Sequence, residues 1–188
     1  MTGMEIAGSR LGLREMAADD AAGLLRVYGD EEATRHLTFP PRSPEQCAAV
    51  LDSAIAYAAA EPRTVYMLAA VDGGAELVGV ARLGIDEHPH SGQIGFVLRP
   101  DMWGRGMGGE LVRLLLRLGF EELGLSRLWG ARSPANAASQ RVMAGAGMVE
   151  EGRIRRHLWS RGAWRDSIVH SILDDEWAAE ALPAQHDG

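Results

Sequence analysis

Between Arg99 and Phe120 the chain reads RPDMWGRGMGGELVRLLLRLGF, with Gly104, Gly106, Gly108 and Gly109 crowded at its centre. Directly after them Leu111, Leu114, Leu115 and Leu118 recur at helical spacing. That pattern predicts an amphipathic helix opening on backbone without side chains. The first N–H groups of a helix have no partner within it and lie at the positive end of its dipole. Such a start holds anions, phosphate above all, and Arg105 adds charge. The plainer alternative is a turn whose glycines only permit close packing of helix on sheet.

The segment Gly104–Gly109 also satisfies G-x-G-x-x-G, but the context of a dinucleotide fingerprint is missing. That fingerprint needs its first glycine directly after a strand and an acid about 20 residues on. Here Pro100 and several other residues follow the preceding strand, and the next strand ends GARS, without an acid. A hydride-transfer enzyme is therefore disfavoured. All 19 basic residues are arginine, which excludes a P-loop lysine and a Schiff-base lysine. The single cysteine, Cys47, excludes a disulfide framework and reads as a buried or half-buried residue of a helix. Net charge is −7, yet Arg99–Arg165 carries twelve arginines against six acids. An acidic chain with one basic section suits a compact phosphate-bearing ligand and argues against nucleic acid. Solvated surface arginines would give the same count.

The elements that must position this turn are legible in outline. Leu11 and Leu13 alternate with polar neighbours, as in a strand. A helix is expected through Gly23–Tyr28. Ser43-Pro44-Glu45-Gln46 has the form of a capping box, opening a helix to about Ala60. Thr64–Val71 and Glu76–Ile85 flank Asp72-Gly73-Gly74, a hairpin signal. Gln93–Leu98 and Ser126–Ser133 read as strands around the glycine turn and its helix. A short helix falls within Ser133–Gly147, and two strands joined at Ser160–Gly162 close the pattern. No apolar run approaches a membrane span and no secretory leader opens the chain, so a cytoplasmic protein without membrane contact is expected. One domain over 1–177 is expected, with 178–188 as a flexible C-terminal tail.

The passage IGFVLRPDMWGRGMGGE resembles the β-strand, turn and helix on which the Gcn5-related N-acetyltransferase (GNAT) superfamily seats acyl-CoA, in particular its RimJ/RimL-like branch. NAASQRVMAGAGMVEEG and GAWRDSIVHSILDDEW resemble two further segments of that branch, in the family's order, and the likeness spans about Arg10 to Trp177. The resemblance implies an α/β fold (α+β in some schemes) with a mixed, largely antiparallel sheet of about seven strands flanked by helices. A splayed pair of strands would form the acyl-CoA cleft.

The same resemblance implies transfer of an acetyl or other small acyl group from acyl-CoA to a primary amine, by direct attack in a ternary complex and without metal. The backbone of Val97, Leu98 and Arg99 would pair with the pantetheine arm and polarise the thioester. The turn from Arg105 through Gly106, Met107, Gly108 and Gly109 would hold the phosphates, with Arg141 reaching one of them. Asn136 would bond the arm and Ser139 would protonate the leaving thiolate, since no tyrosine occurs between Ala135 and Ala146. As residues near a helix start, both also read as local caps. Glu151 matches the position of the branch's proposed general base; His88, His90, His157 and His170 are alternatives. Arg35, His36, Phe39, Trp159 and Trp164 are candidates for an acceptor groove, although core packing explains the aromatics equally. The acceptor is a small-molecule amine or a protein or peptide N-terminus, and a homodimer is one option for assembly. A non-catalytic acyl-CoA-binding regulatory protein is the alternative reading.

Overall fold

The computed structural model describes residues 3–88 and 90–181. In chain order the strands are β1 (Glu5–Ala7), β2 (Leu11–Glu15), β3 (Val65–Asp72), β4 (Leu77–Ile85), β5 (Ser91–Leu98), β6 (Arg127–Arg132), β7 (Val149–Ser160) and β8 (Ala163–Leu173). The helices are α1 (Ala21–Tyr28), α2 (Glu31–Thr34), α3 (Pro44–Ala58), α4 (Met107–Arg117), α5 (Ala137–Gly145) and α6 (Asp174–Ala181). All eight strands join one sheet in the order β1-β2-β3-β4-β5-β6-β8-β7. The expected seven strands become eight because β1 has three residues, too few for periodicity to show. The flexible tail expected over 178–188 is corrected at its start, since α6 runs to Ala181; 182–188 lie outside the described residues.

Alternation along the strands divides the interior into two cores. On β3, Tyr66, Leu68 and Ala70 enter a core shared with Leu111, Leu115 and Leu118 of the α4 region. Ala69, between them, enters the other core with Leu24 and Val27 of α1 and Cys47 and Leu51 of α3. Cys47 is buried, as its helical position suggested. The capping box forms: Ser43 Oγ accepts from the Gln46 N–H, and the Ser43 N–H donates to Gln46 Oε1.

The feature that positions the site is a fork in the sheet. β5 and β6 are parallel neighbours, but their ladder covers only Ser91–Gln93 against Arg127–Trp129. Beyond it β5 stays with β4 as far as Leu98, and β6 stays with β8 as far as Arg132. Twist carries the two halves apart, and the polar edges of both strands face the gap. The tip of the β7–β8 hairpin crosses to the end of α2 and the segment after it. There Arg161 Nη2 donates to the Thr34 and Phe39 carbonyls, and Arg165 Nη1 donates to the His36 carbonyl at 2.7 Å.

Candidate functional site

A cavity of about 720 Å³ occupies the fork. Its walls come from Phe96, Val97 and Leu98 of β5, the glycine turn, Asn136, Ser139, Arg141 and Val142 around α5, and Glu32, Arg35, His36 and Leu37 around α2. Ten of the residues expected from sequence therefore meet in one space: Val97, Leu98, Gly106, Gly108, Gly109, Asn136, Ser139, Arg141, Arg35 and His36.

The register decides which backbone groups face the gap. The Arg99 N–H donates to the Val78 carbonyl at 2.8 Å, across to β4. Alternation then turns Val97 the same way, opposite Val80, and turns Phe96 and Leu98 toward the fork. The Leu98 carbonyl is capped by the Trp103 indole N–H at 3.0 Å. Leu98 thus offers the cleft a donor, and Phe96 offers a donor and an acceptor. The expectation of backbone contacts from Val97 and Arg99 is corrected: the Arg99 N–H is spent on Val78 and the Val97 backbone faces Val80, both inside the sheet. The Arg99 guanidinium is spent as well, bonded to Asp101 and Glu76, which raises its pKa. Phe96 and Trp103 were not singled out for these roles in the sequence; the parity of the β4–β5 register is what reveals them.

Gly106, at φ +76°, is the residue before α4, and Gly104 is at φ +72°. Both conformations strongly favour glycine. The first helical bond of α4 runs from the Glu110 N–H to the Gly106 carbonyl, so the N–H groups of Met107, Gly108 and Gly109 have no partner within the helix. The Met107 side chain packs against the α4 core rather than lining the cavity. Arg105 points its side chain to solvent outside the cavity, while its carbonyl accepts from Arg10 Nη1. Glu110 ties this turn to the β1–β2 hairpin. Burial raises its pKa, but bonds from the Arg10 and Leu11 N–H groups, Ser9 Oγ and Arg10 Nε outweigh that and hold it at about 2.

Asn136 is the N-cap of α5: its side-chain oxygen accepts from the Ser139 N–H at 3.0 Å. The cap uses the oxygen and leaves the amide NH₂ for the cavity, so capping and ligand binding are compatible readings. Ser139 follows by one turn on the same wall.

Other expected residues stand elsewhere. Glu151 does not line the cavity. Its carboxylate takes two bonds from Arg127, the first residue of β6 at the closed end of the fork, and one from Ser171 Oγ. The Arg127 bond and then the Ser171 bond hold its pKa at about 2, too low for a base working at neutral pH. The expectation of Glu151 as general base is corrected on both counts. Phe39 packs edge-on against Tyr28 and beneath Arg42, as part of the second core. Trp159 and Trp164 meet edge to face on the closing hairpin, 61% and 55% exposed and outside the cavity. An acceptor contact is therefore withdrawn for all three aromatics. His157 Nδ1 is 3.0 Å from Ser167 Oγ, and buried His170 accepts from Arg132 Nε; His88, His90, His157 and His170 are all absent from the cavity wall.

Comparison with known proteins places the chain in a family and a fold. The Acetyltransferase (GNAT) domain family matches residues 10–149. An uncharacterized N-acetyltransferase, p20, of Bacillus licheniformis is 27% identical over 170 residues, 90% of this chain and 96% of the relative. Among solved structures, ribosomal-protein-S5-alanine acetyltransferase from Vibrio fischeri superposes with a TM-score of 0.75 at 23% identity, covering 93% of this chain and 98% of that one. Spermidine N-acetyltransferase from Vibrio cholerae, in complex with CoA and spermine, gives 0.78 at 18% identity, covering 91% and 99%. These two likenesses are of fold.

Proposed function

Because the chain belongs to the GNAT family and is an acetyl-CoA-dependent N-acetyltransferase, we propose that the fork is its transfer site and that its acceptor is the amine of a neutral or anionic molecule, such as a peptide N-terminus or an amino acid. The carrying observation is convergence: free strand-edge N–H groups, a side-chain-free helix start and the Asn136–Ser139 wall share one cavity. A ligand with an extended amide arm and a diphosphate needs those two kinds of surface. Acetyl-CoA brings the activated acyl group.

In this reading the unpaired N–H groups of Met107, Gly108 and Gly109 bind the diphosphate, with Arg141 as the nearby cation on the cavity wall. The Phe96 edge and the Asn136 amide bond the arm. The Leu98 N–H lies where a thioester oxygen gains charge as nitrogen attacks, and a fixed dipole there lowers the barrier without reorganisation. The Ser139 hydroxyl supplies a proton to the departing sulfur.

The acceptor reading rests on charge. The acceptor end carries Glu32 against Arg35, with Arg161 and Arg165 strapped behind. A polycation would meet that arrangement at a disadvantage, whereas an acceptor carrying a carboxylate or no second charge would not.

The test is acetyl-CoA turnover with three acceptors: a peptide with a free N-terminal alanine or serine, glutamate, and spermidine. The peptide or glutamate should be acetylated with higher kcat/KM than spermidine; the reverse order refutes the acceptor reading. Ser139→Ala should lower kcat by roughly 10- to 100-fold with acetyl-CoA affinity changed little. Glu151→Gln should leave kcat within about twofold, because its carboxylate lies outside the cleft.

A further inference from the structure

Removing Glu151 from the cleft leaves the reaction without a proton acceptor, and the same cavity supplies another. We propose that the His36 imidazole is the general base, taking a proton from the acceptor's ammonium nitrogen as that nitrogen becomes the nucleophile. The inference rests on the transfer site described above.

Geometry carries it by elimination. Among the described residues, four titratable side chains line the cavity: Glu32, Arg35, His36 and Arg141. Guanidinium groups do not give up their proton in proteins. Glu32 is exposed and ion-paired with Arg35. His36 alone is both half-buried and an acceptor by chemistry. Its backbone is held, since its carbonyl takes the Arg165 Nη1 bond at 2.7 Å. Asn136 and Ser139 belong to the same cavity wall but come from α5, so base and acid are supplied by different elements.

The charged groups around the ring keep it in its accepting form. On its own segment stand Glu32 and Arg35; the closing hairpin brings Arg161 and Arg165; Arg141 belongs to α5 on the same cavity. Burial first, then Arg35, Arg165 and Arg161, lower the His36 pKa below its ordinary 6.5. The imidazole is therefore neutral at pH 7 and charges only in more acidic solution.

The balance closes. The attacking nitrogen sheds two protons in all. His36 takes the first and passes it to solvent. The freed lone pair forms the C–N bond, the C–S bond breaks, and its electron pair leaves on sulfur. Ser139 protonates the sulfur and regains a proton from solvent, to which the nitrogen loses its second.

The experiment measures kcat/KM between pH 5.5 and 9 for the wild type, His36→Asn and His36→Gln, with the three acceptors named above. The wild type should rise through an apparent pKa below 6.5 and then flatten. Both variants should lose about 100-fold near pH 7, keep acetyl-CoA affinity, and go on rising with pH as free amine accumulates. Imidazole should restore part of the rate to His36→Ala. An unchanged profile in either variant overturns His36 as base while leaving the transfer site intact. Turnover on spermidine alone overturns the acceptor reading, and the base is then judged on spermidine. Turnover of bound acetyl-CoA with none of the acceptors overturns both.

Discussion

Single residues here show how one carboxylate differs from another. Glu110 and Glu151 both sit near pKa 2, held by unlike partners, and neither is a base. Glu110 is the more consequential because it gathers Ser9, Arg10 and Leu11 against the glycine turn. Its folded pKa lies below the ordinary carboxylate value of 4.5. The stabilisation is therefore complete above pH 4.5 and is lost as pH falls through the folded value near 2. Urea unfolding should show the wild type more stable than Glu110→Gln by about 2–3 kcal/mol at neutral pH. That gap should narrow steadily below pH 4.5; a gap that stays constant with pH would assign the difference to packing. Residue identity alone separates none of these roles. Glu151 stands where a family base is expected, yet Arg127 and Ser171 claim it through contacts made by chain folding. His36 lies between Arg35 and Leu37 in a segment with no sequence pattern of its own, and only the cavity gives it a task.

Among the elements, the contact of α4 with α5 fixes the width of the site. A Cβ built on Gly108 lies 3.0 Å from Val142 Cγ2, on a side chain that can yield slightly. Gly108→Ala should therefore be tolerated, with better helix propensity offsetting the small shift. Gly108→Val should cost about 1–3 kcal/mol by overpacking and weaken acetyl-CoA binding measurably, because α5 carries Ser139 and is capped by Asn136. Calorimetric titration with acetyl-CoA and thermal melts of both variants check this; equal behaviour of alanine and valine would show that the helices are free to separate. At this scale the sequence was most legible. The α3 capping box, the Asp72–Gly74 hairpin and the leucine stripe of α4 are local signals, written within a few residues, and each appears where it was expected. The parity of β5 was not legible, because which N–H faces the fork depends on pairing with β4 across a hairpin. Nor was the strap from Arg161 and Arg165, whose partners lie over 120 residues away in sequence.

Over the whole molecule, two cores on opposite faces of one sheet leave the fork as the place where sheet, helices and hairpin tip all meet. The acidic excess of the chain lies outside the span from Arg99 to Arg165, so the stretch that carries the glycine turn and most of the hairpin is net positive within a protein of net charge −7. Anion binding at the turn should accordingly weaken as salt rises. The strap beside the acceptor end has a chemical consequence as well. Its cations are guanidiniums, and the chain has no lysine anywhere. An ammonium side chain at Arg165, bonded to the His36 segment that borders the cavity, would itself be an amine open to acylation, whereas a guanidinium stays protonated and does not compete. Peptide mapping after long incubation with acetyl-CoA should find no acetylated internal side chain, while an Arg165→Lys variant should acquire one. An enzyme that hands acetyl groups to amines has thus built its own working parts from a cation it does not modify.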